Sequence, residues 1–297
     1  MVEYREIECK SALNRVRGMP FAWSLNPYRG CAHACHYCFA RPTHRFFELG
    51  IGDDFTGIIY VKRNLAAVLA GELSRPGWRR EQVALGTATD PYQPAEGRYR
   101  LTRAAIEQFA RFRSPVSLLT KNPLIVRDLD VLREVETRAG LSVAFSVPTV
   151  DREIWRRTEP GTAPPRQRLA AMRRLVDAGI SAGVLMAPLL PGLSADRAQV
   201  ERTVRASADH GARFVGSGLL NLSPELRDYY FGFLAAEYPA LLDGYRRLYG
   251  EKYAPKRYRD RVAARVQELK EAAGVPDRPV LPRAVTPPVQ QLGLPLR

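Results

Sequence analysis

Short apolar runs alternate with longer amphipathic segments over most of the chain. Six of these runs are predicted to be buried strands, at 21–25, 83–88, 116–120, 141–147, 181–188 and 212–218. The clearest helices between them are 101–112 and 165–179, which repeat apolar residues at helical spacing along one face. This alternation predicts an α/β fold with a parallel sheet and right-handed crossovers, either doubly wound or curled into a whole or partial barrel.

The pattern changes near residue 224, beyond which the chain becomes helical, aromatic and basic. From Val275 onward, proline and glycine interrupt every possible element, which predicts an extended or disordered tail. We therefore divide the chain into an N-terminal extension at 1–20, a barrel at 21–224, a helical C-terminal appendix at 225–274 and a tail at 275–297.

The chain has 297 residues, of which 45% are hydrophobic, so one large core can form without disulfides. Three of the four cysteines are clustered and the fourth, Cys9, stands alone, which is unlike the framework of a secreted domain. We find no signal peptide and no long apolar run in the sequence. These features predict a cytoplasmic, thiol-reducing location and no contact with a membrane.

The net charge of +14 indicates either attraction to polyanions or an arginine-rich proteome, and both interpretations remain open. The segment 245–270 carries nine basic and three acidic residues, interleaved with Tyr245, Tyr249, Tyr253 and Tyr258. Basic and aromatic residues together are typical of a nucleic-acid surface, with DNA the favoured partner. Tyrosines four residues apart could equally form one helix face that packs on the barrel.

Cys31, Cys35 and Cys38 lie in the stretch RGCAHACHYCFAR, directly after the first predicted strand. The catalytic loops of β/α barrels follow the strands at this end. Three thiolates can hold a [4Fe-4S] cluster and leave one iron open, whereas structural zinc needs a fourth ligand such as His33 or His36. The spacing favours the cluster, and zinc remains the alternative.

The segment CAHACHYC resembles the CxxxCxxC signature of radical S-adenosylmethionine (SAM) enzymes, including the aromatic Tyr37 before the third cysteine. The resemblance implies that SAM binds the open iron. It also implies that an electron from a flavodoxin-like or ferredoxin-like reducing partner, passed through the cluster, cleaves SAM to a 5′-deoxyadenosyl radical. The motifs GTATDPYQPAEGRYRLTR, LLTKN, FSVPTVDREIWRRTEPG and MAPLLPGL follow in order and are similar to the spore photoproduct lyase-like branch. The implied fold is a partial (β/α)6 TIM-type barrel with the helical appendix.

The resemblance also implies which residues contact SAM. The expected contacts are Tyr37, Thr87, Thr89, Asp90, Lys121 and Ser146, with the segment 185–188 against the adenine. A SAM amino group needs acidic or hydroxyl acceptors, and its carboxylate needs a cation or hydroxyl donors. The alternatives are an ordinary turn, a solvated lysine and a strand serine bonded to backbone. Glu159, Arg166 and Arg168 lie in the same motifs, and we expect them to pair on the surface.

One position departs from the photoproduct lyases, which use a cysteine near the end of the second strand to return a hydrogen atom. This chain has LGTATD there, with Thr87 or a neighbour at that place, and a hydroxyl is a poor hydrogen-atom donor. The resemblance therefore implies a lyase-like radical SAM enzyme linked to DNA repair, without fixing the reaction. One alternative is the same chemistry on a peptide or small metabolite. Another is a non-catalytic, zinc-stabilised module that binds nucleic acid.

The hexapeptide QLGLPL near the C-terminus resembles the motif by which bacterial repair proteins bind the DNA polymerase sliding clamp. Gln291, Leu292, Leu294 and Leu296 would be its anchors, since a few anchors can hold an extended peptide. A leucine–proline tail could equally pack on its own barrel.

Overall fold

The computed structural model of the protein describes residues 2–278. The strands are β1 Glu3–Ile7, β2 Leu13–Arg15, β3 Trp23–Leu25, β4 Tyr28–Arg29, β5 Ile58–Lys62, β6 Val83–Leu85, β7 Val116–Thr120, β8 Leu141–Ser146, β9 Ala182–Leu189 and β10 Val215–Leu219. The helices are α1 Asp53–Gly57, α2 Leu65–Leu73, α3 Ala95–Tyr99, α4 Leu101–Arg111, α5 Leu129–Arg138, α6 Arg152–Thr158, α7 Pro165–Asp177, α8 Arg197–Asp209, α9 Pro224–Glu237, α10 Pro239–Leu248 and α11 Lys256–Ala272. Two 3₁₀ helices span Arg41–Phe47 and Pro123–Asp128.

The main sheet has seven strands in the order β10-β9-β8-β7-β6-β3-β2. Six of these strands are parallel to one another, namely β3, β6, β7, β8, β9 and β10. The seventh strand, β2, pairs antiparallel with β3 at the edge of the sheet. Because the spatial order of the six parallel strands follows the chain order in one direction, the sheet curls and is not doubly wound. The six predicted strands and the partial (β/α)6 barrel are confirmed.

A second sheet, in the order β1-β5-β4, was not predicted. Here β1 pairs in parallel with β5, whose Ile59 and Val61 are buried in the main core. The residues of β1 are only half-buried or exposed, and the segment is polar in composition. It therefore lacks the apolar run by which the other strands were predicted. Part of the expected N-terminal extension is thus built into the fold.

The helices α9 and α10 pack against the end of the barrel that carries the three cysteines, whereas α11 packs along β10 and α8. The core around α9 and α10 contains Tyr230, Tyr245 and Tyr249, together with Cys35 and Tyr37 of the cysteine stretch. Tyr245 and Tyr249 are 3% and 0% exposed, so the packing interpretation is right for these two tyrosines. This part of the helical appendix therefore forms a wall of the cysteine site.

The segment 275–278 packs at the opposite end of the barrel. The Arg278 side chain donates to the Ser142 carbonyl at 2.9 Å, and the Val215 N–H donates to the Pro276 carbonyl at 3.0 Å. Ser142 and Val215 lie at the N-terminal ends of their strands, so the start of the expected free tail is held there. The predicted clamp motif lies outside residues 2–278. Within those residues, the helices are too short or too polar to cross a membrane.

Candidate active site

The three cysteines lie on the loop 30–40, called the cysteine loop, which follows β4. Cys31 and Cys35 are buried, Cys38 is partly exposed, and all three are free thiols. In residues 2–278, no three histidine, cysteine or carboxylate side chains converge closely enough to hold a single metal ion.

Arg41 supports the backbone of the cysteine loop from inside the protein. It is 1% exposed and donates to the carbonyl oxygens of Cys35 at 2.9 Å and Ala34 at 3.1 Å. The same guanidinium reaches the carbonyls of Ile51 and Gly52 in the next loop. A planar group with five donors can satisfy these acceptors together, so the turn between the first two cysteines is held without any ligand.

The segment after β6 is bonded to the start of the cysteine loop. Thr89 Oγ1 and Gln93 Nε2 both donate to the Gly30 carbonyl, at 2.6 and 3.0 Å. Gly30 has a φ of +82°, and a Cβ there would lie 2.7 Å from the Ile58 carbonyl oxygen, so this turn requires glycine. The Thr89 hydroxyl therefore has a structural partner in the loop, and its contact with SAM stays a prediction.

Asp90 is buried beneath the cysteine loop with donors on both carboxylate oxygens. It accepts from Thr120 Oγ1 at 2.7 Å and from the backbone N–H groups of Tyr92 and Lys121 at 2.9 and 2.7 Å. Burial alone would raise the pKa of Asp90, but the charge of His33 and these donors lower it to about 2. Asp90 is thus an ionised anchor at the end of β6.

The two histidines of the cysteine loop are both engaged by the protein. His33 Nδ1 lies 3.2 Å from Asp90, and the charges of Asp90 and Cys31 overcome burial to raise the pKa of His33 to about 10. The His36 ring stacks on Phe233 with centroids 4.2 Å apart, beside the Tyr229 hydroxyl. Both rings are thus packed against other parts of the protein.

Lys121 places a cation beside the cysteine loop. Its Nζ lies 5.8 Å from the centroid of the Tyr37 ring, and no residue from 2 to 278 accepts a hydrogen bond from it. Burial opposes the charge, but Cys35 and Glu159 outweigh it and raise the pKa of Lys121. A half-buried cation that lacks an acceptor among the described residues fits a ligand that brings a carboxylate, as SAM does.

Two other predicted SAM contacts have partners within the protein. The Thr87 hydroxyl lies 3.0 Å from the Asn26 side-chain amide, and the Ser146 hydroxyl donates to the Ala187 carbonyl at 3.1 Å. Both residues lie at the C-terminal ends of their strands or just beyond. Cys9, the fourth cysteine, follows β1, and its backbone N–H donates to Asn64. The contacts of Thr87 and Ser146 with SAM stay predictions.

Glu159 and Arg168 form a buried ion pair, so the expected surface pairing is wrong for them. They are 2% and 0% exposed, and only Arg166 faces solvent as expected. Arg168 precedes Met172 by four residues and therefore turns to the buried face of α7. That spacing was present in the sequence and could have identified the buried arginine.

Comparison with known proteins agrees with this geometry. A family model described as Radical SAM superfamily matches residues 25–205. An uncharacterized protein of Mycobacterium tuberculosis is 43% identical over 272 residues, covering 90% of this chain and 80% of that protein. An uncharacterized protein of Methanocaldococcus jannaschii is 24% identical over 192 residues, covering 65% and 70%. The family match favours the cluster over the zinc alternative.

Solved structures share this fold. Spore photoproduct lyase complexed with dinucleoside spore photoproduct has a TM-score of 0.72 at 15% identity, covering 91% of this chain and 79% of that chain. A mutant of that lyase with bound AdoMet and the dinucleoside gives a TM-score of 0.71 at 15% identity, covering 90% and 78%. At this identity the likeness shows the common fold alone.

Proposed function

The chain belongs to the radical SAM superfamily, and we propose that it acts on a nucleic acid, with DNA the favoured substrate. It is a radical SAM enzyme whose cofactors are a [4Fe-4S] cluster and SAM. Bound together and reduced, these cofactors supply a 5′-deoxyadenosyl radical that abstracts hydrogen. We assign the cluster to Cys31, Cys35 and Cys38, the three thiols of the cysteine loop.

Within this proposal, the residues around the cysteine loop orient SAM. Lys121 pairs with its carboxylate, because the ammonium group lacks an acceptor among residues 2–278. Asp90 acts through the backbone N–H of Lys121, which it fixes at 2.7 Å. Thr87, Thr89 and Ser146 offer hydroxyl groups at three strand ends, and Tyr37 offers its ring.

Tyr253 is the observation that carries the nucleic-acid proposal. Its side chain is 51% exposed, and its backbone bridges to Asn221, just beyond the C-terminal end of β10. Lys252 Nζ and the Arg259 guanidinium lie 5.2 and 5.6 Å from its ring centroid. An exposed aromatic ring between two cations, at the end of the barrel that carries the cysteines, suits an unstacked base with its phosphates.

The surface that supports this proposal is smaller than the basic segment predicted from sequence. Lys270 is 3% exposed and pairs with Asp277, so it is not part of the surface. The basic residues that face solvent are Arg246, Arg247, Lys252, Lys256, Arg257, Arg259 and Arg261.

The direct test measures 5′-deoxyadenosine release by the reduced, reconstituted enzyme with single-stranded, duplex and ultraviolet-irradiated DNA. We expect at least one form to accelerate release. Tyr253→Ala should weaken binding of single-stranded DNA about 5- to 150-fold, because stacking on one aromatic ring contributes about 1–3 kcal/mol.

Two control variants accompany this test. Tyr253→Phe keeps the ring and should bind as the wild type does. Arg138→Ala removes an exposed cation on α5, distant in sequence from the proposed surface, and should also leave binding unchanged. If no nucleic acid binds or stimulates release at moderate salt, the peptide or metabolite alternative replaces this proposal.

We also propose the sliding clamp as a partner of residues 291–296, on the strength of the QLGLPL motif alone. Deletion of 291–297 should abolish retention on an immobilised clamp. Equal retention of the truncated and full chains would remove this partner. The cytoplasmic location and the flavodoxin-like or ferredoxin-like reductant also remain predictions.

A further inference from the structure

The backbone of the loop 158–163, called the Glu159 loop, lies directly against the backbone of the cysteine loop. The His36 N–H donates to the Thr158 carbonyl, and the Gly161 N–H donates to the His33 carbonyl, both at 3.1 Å. A Cβ on Gly161 would lie 2.3 Å from the Ala32 carbonyl oxygen. The two backbones are therefore too close to admit a side chain at this position.

Side chains reinforce the contact through the buried carboxylate of Glu159. One of its oxygens accepts from the Tyr37 hydroxyl, and the other accepts from Arg168 and from Thr162 Oγ1. Burial alone would raise the pKa of Glu159, but the charges of Arg168 and Lys121 lower it instead. Glu159 therefore stays ionised and holds the residue that lies between Cys35 and Cys38.

Arg168 extends this connection to the barrel. Its Nη1 donates to the Ser146 carbonyl at 2.8 Å, at the end of β8, and its Nε donates to the Ala163 carbonyl at 2.7 Å. A continuous path, Tyr37–Glu159–Arg168–Ser146, thus joins the cysteine loop to the fourth strand of the barrel. Buried polar networks with satisfied members rigidify the elements they connect.

We propose that Glu159 and Arg168 are positioning residues which, through Tyr37, hold the cysteine loop in the geometry that receives the cluster. The inference concerns retention of the cluster and is independent of the substrate. A preformed loop loses less conformational freedom when the cluster binds, so the bound form is favoured. Loss of the hydrogen bond from the Tyr37 hydroxyl to Glu159 should therefore speed the release of iron.

Tyr37→Phe tests this step because it removes one hydroxyl and leaves the Glu159–Arg168 pair in place. The measurement is the rate at which anaerobically reconstituted protein releases iron to an excess of chelator. We expect release to be about tenfold faster, in line with the loss of a hydrogen bond to a charged acceptor. The metal-free variant should keep its circular dichroism spectrum and a cooperative thermal transition.

The matched control is Tyr230→Phe, in the same core. The Tyr230 hydroxyl is buried and makes no hydrogen bond within residues 2–278, so its removal should leave iron release unchanged. Equal rates in wild type and Tyr37→Phe, or equal acceleration by both phenylalanine variants, would overturn the proposal.

A double-mutant cycle tests whether Tyr37 and Glu159 act as one unit. Glu159→Ala, which removes the acceptor of the Tyr37 hydroxyl, should accelerate iron release, and adding Tyr37→Phe should accelerate it no further. Effects that simply multiply would mean that the two residues act independently, contrary to the proposal.

Gly161→Ala tests the backbone contact without altering any hydrogen-bonding side chain. The new methyl group forces the Glu159 loop away from Ala32, so iron release should again be faster. Gly71→Ala is its control, because a Cβ on this α2 residue meets no atom within 4 Å. Release at the wild-type rate in Gly161→Ala would contradict a positioning role for the loop.

Discussion

The cysteine loop and the α10–α11 region, residues 239–272, distribute charge in opposite ways. Around the cysteine loop, Asp90, Glu159 and Arg168 are buried, and each lies against a group of opposite charge. In the α10–α11 region, tyrosines such as Tyr249 fill the core and most cations face solvent. Removing one member of a buried ion pair leaves the other charge buried without a partner, which destabilises the fold. Removing an exposed charge changes the free energy of unfolding little. Substitutions should therefore alter folding and cofactor retention in the first region and ligand binding in the second.

The largest effect is expected at the thiols. Cys35→Ser should reduce the iron content of the reconstituted protein from about four atoms per chain to a small fraction of that. The visible absorption of the cluster at about 400 nm should be lost with it. Formation of 5′-deoxyadenosine should fall to background. Iron analysis and the visible spectrum check this outcome.

Cys9→Ser is the matched control for the thiol substitution. Cys9 follows β1, outside the cysteine loop, and should be dispensable for the cluster. Loss of iron in this variant as well would mean that the cluster does not depend on the cysteine loop alone.

The second largest effect is expected for the buried Arg168. Arg168→Met should lower the free energy of unfolding of the metal-free protein by about 3–5 kcal/mol, because Glu159 is left buried without its partner. Arg257→Met, in the α10–α11 region, should change it by no more than about 0.5 kcal/mol. Urea denaturation measures both, and equal losses would abolish the contrast between the two regions.

The dependence of stability on pH should distinguish the two regions as well. The folded-state pKa of Asp90 is about 2, below its usual 3.8, so its stabilisation is complete above pH ~4 and is lost as the pH falls through 2. The difference in unfolding free energy between wild type and Asp90→Asn should therefore shrink by about 2 kcal/mol over this range.

Asp260→Asn is the comparison for Asp90. Asp260 pairs with Lys256 on the exposed face of α11, and its replacement should change the free energy of unfolding by no more than about 0.5 kcal/mol. A gap between wild type and Asp90→Asn that stays constant below pH ~4 would contradict the ionised anchor.

The smallest effect belongs to single surface cations. Arg257→Met should reduce the slope of log K against log salt for single-stranded DNA by about 0.7, because one phosphate contact is lost. Its urea midpoint should not move. An unchanged slope would place Arg257 outside the nucleic-acid surface.

The fold was predictable because buried strands and amphipathic helices leave strong periodic signals. The run 141–147 is almost wholly apolar, and β8 occupies it. The second sheet escaped prediction because β1 is polar and gains its place only by pairing with β5, some fifty residues later.

The spacing of the three cysteines singles out their loop in the sequence, whereas most residues that support this loop in the structure leave no local signal. Tyr37 and Glu159 are 122 residues apart in the chain, and nothing local in either segment indicates the other. Tyrosine spacing in α10 did indicate a packed face, while composition alone could not show that Tyr253, unlike Tyr249, is exposed.

Arg278 and Pro276 hold the last described residues of the chain against one end of the barrel. Both contact the N-terminal ends of strands, whereas the cysteine loop and Tyr253 lie at the C-terminal ends. A molecule that binds around Arg278 would therefore approach the protein from the face opposite the cysteine loop, and it would leave the C-terminal ends of the strands open.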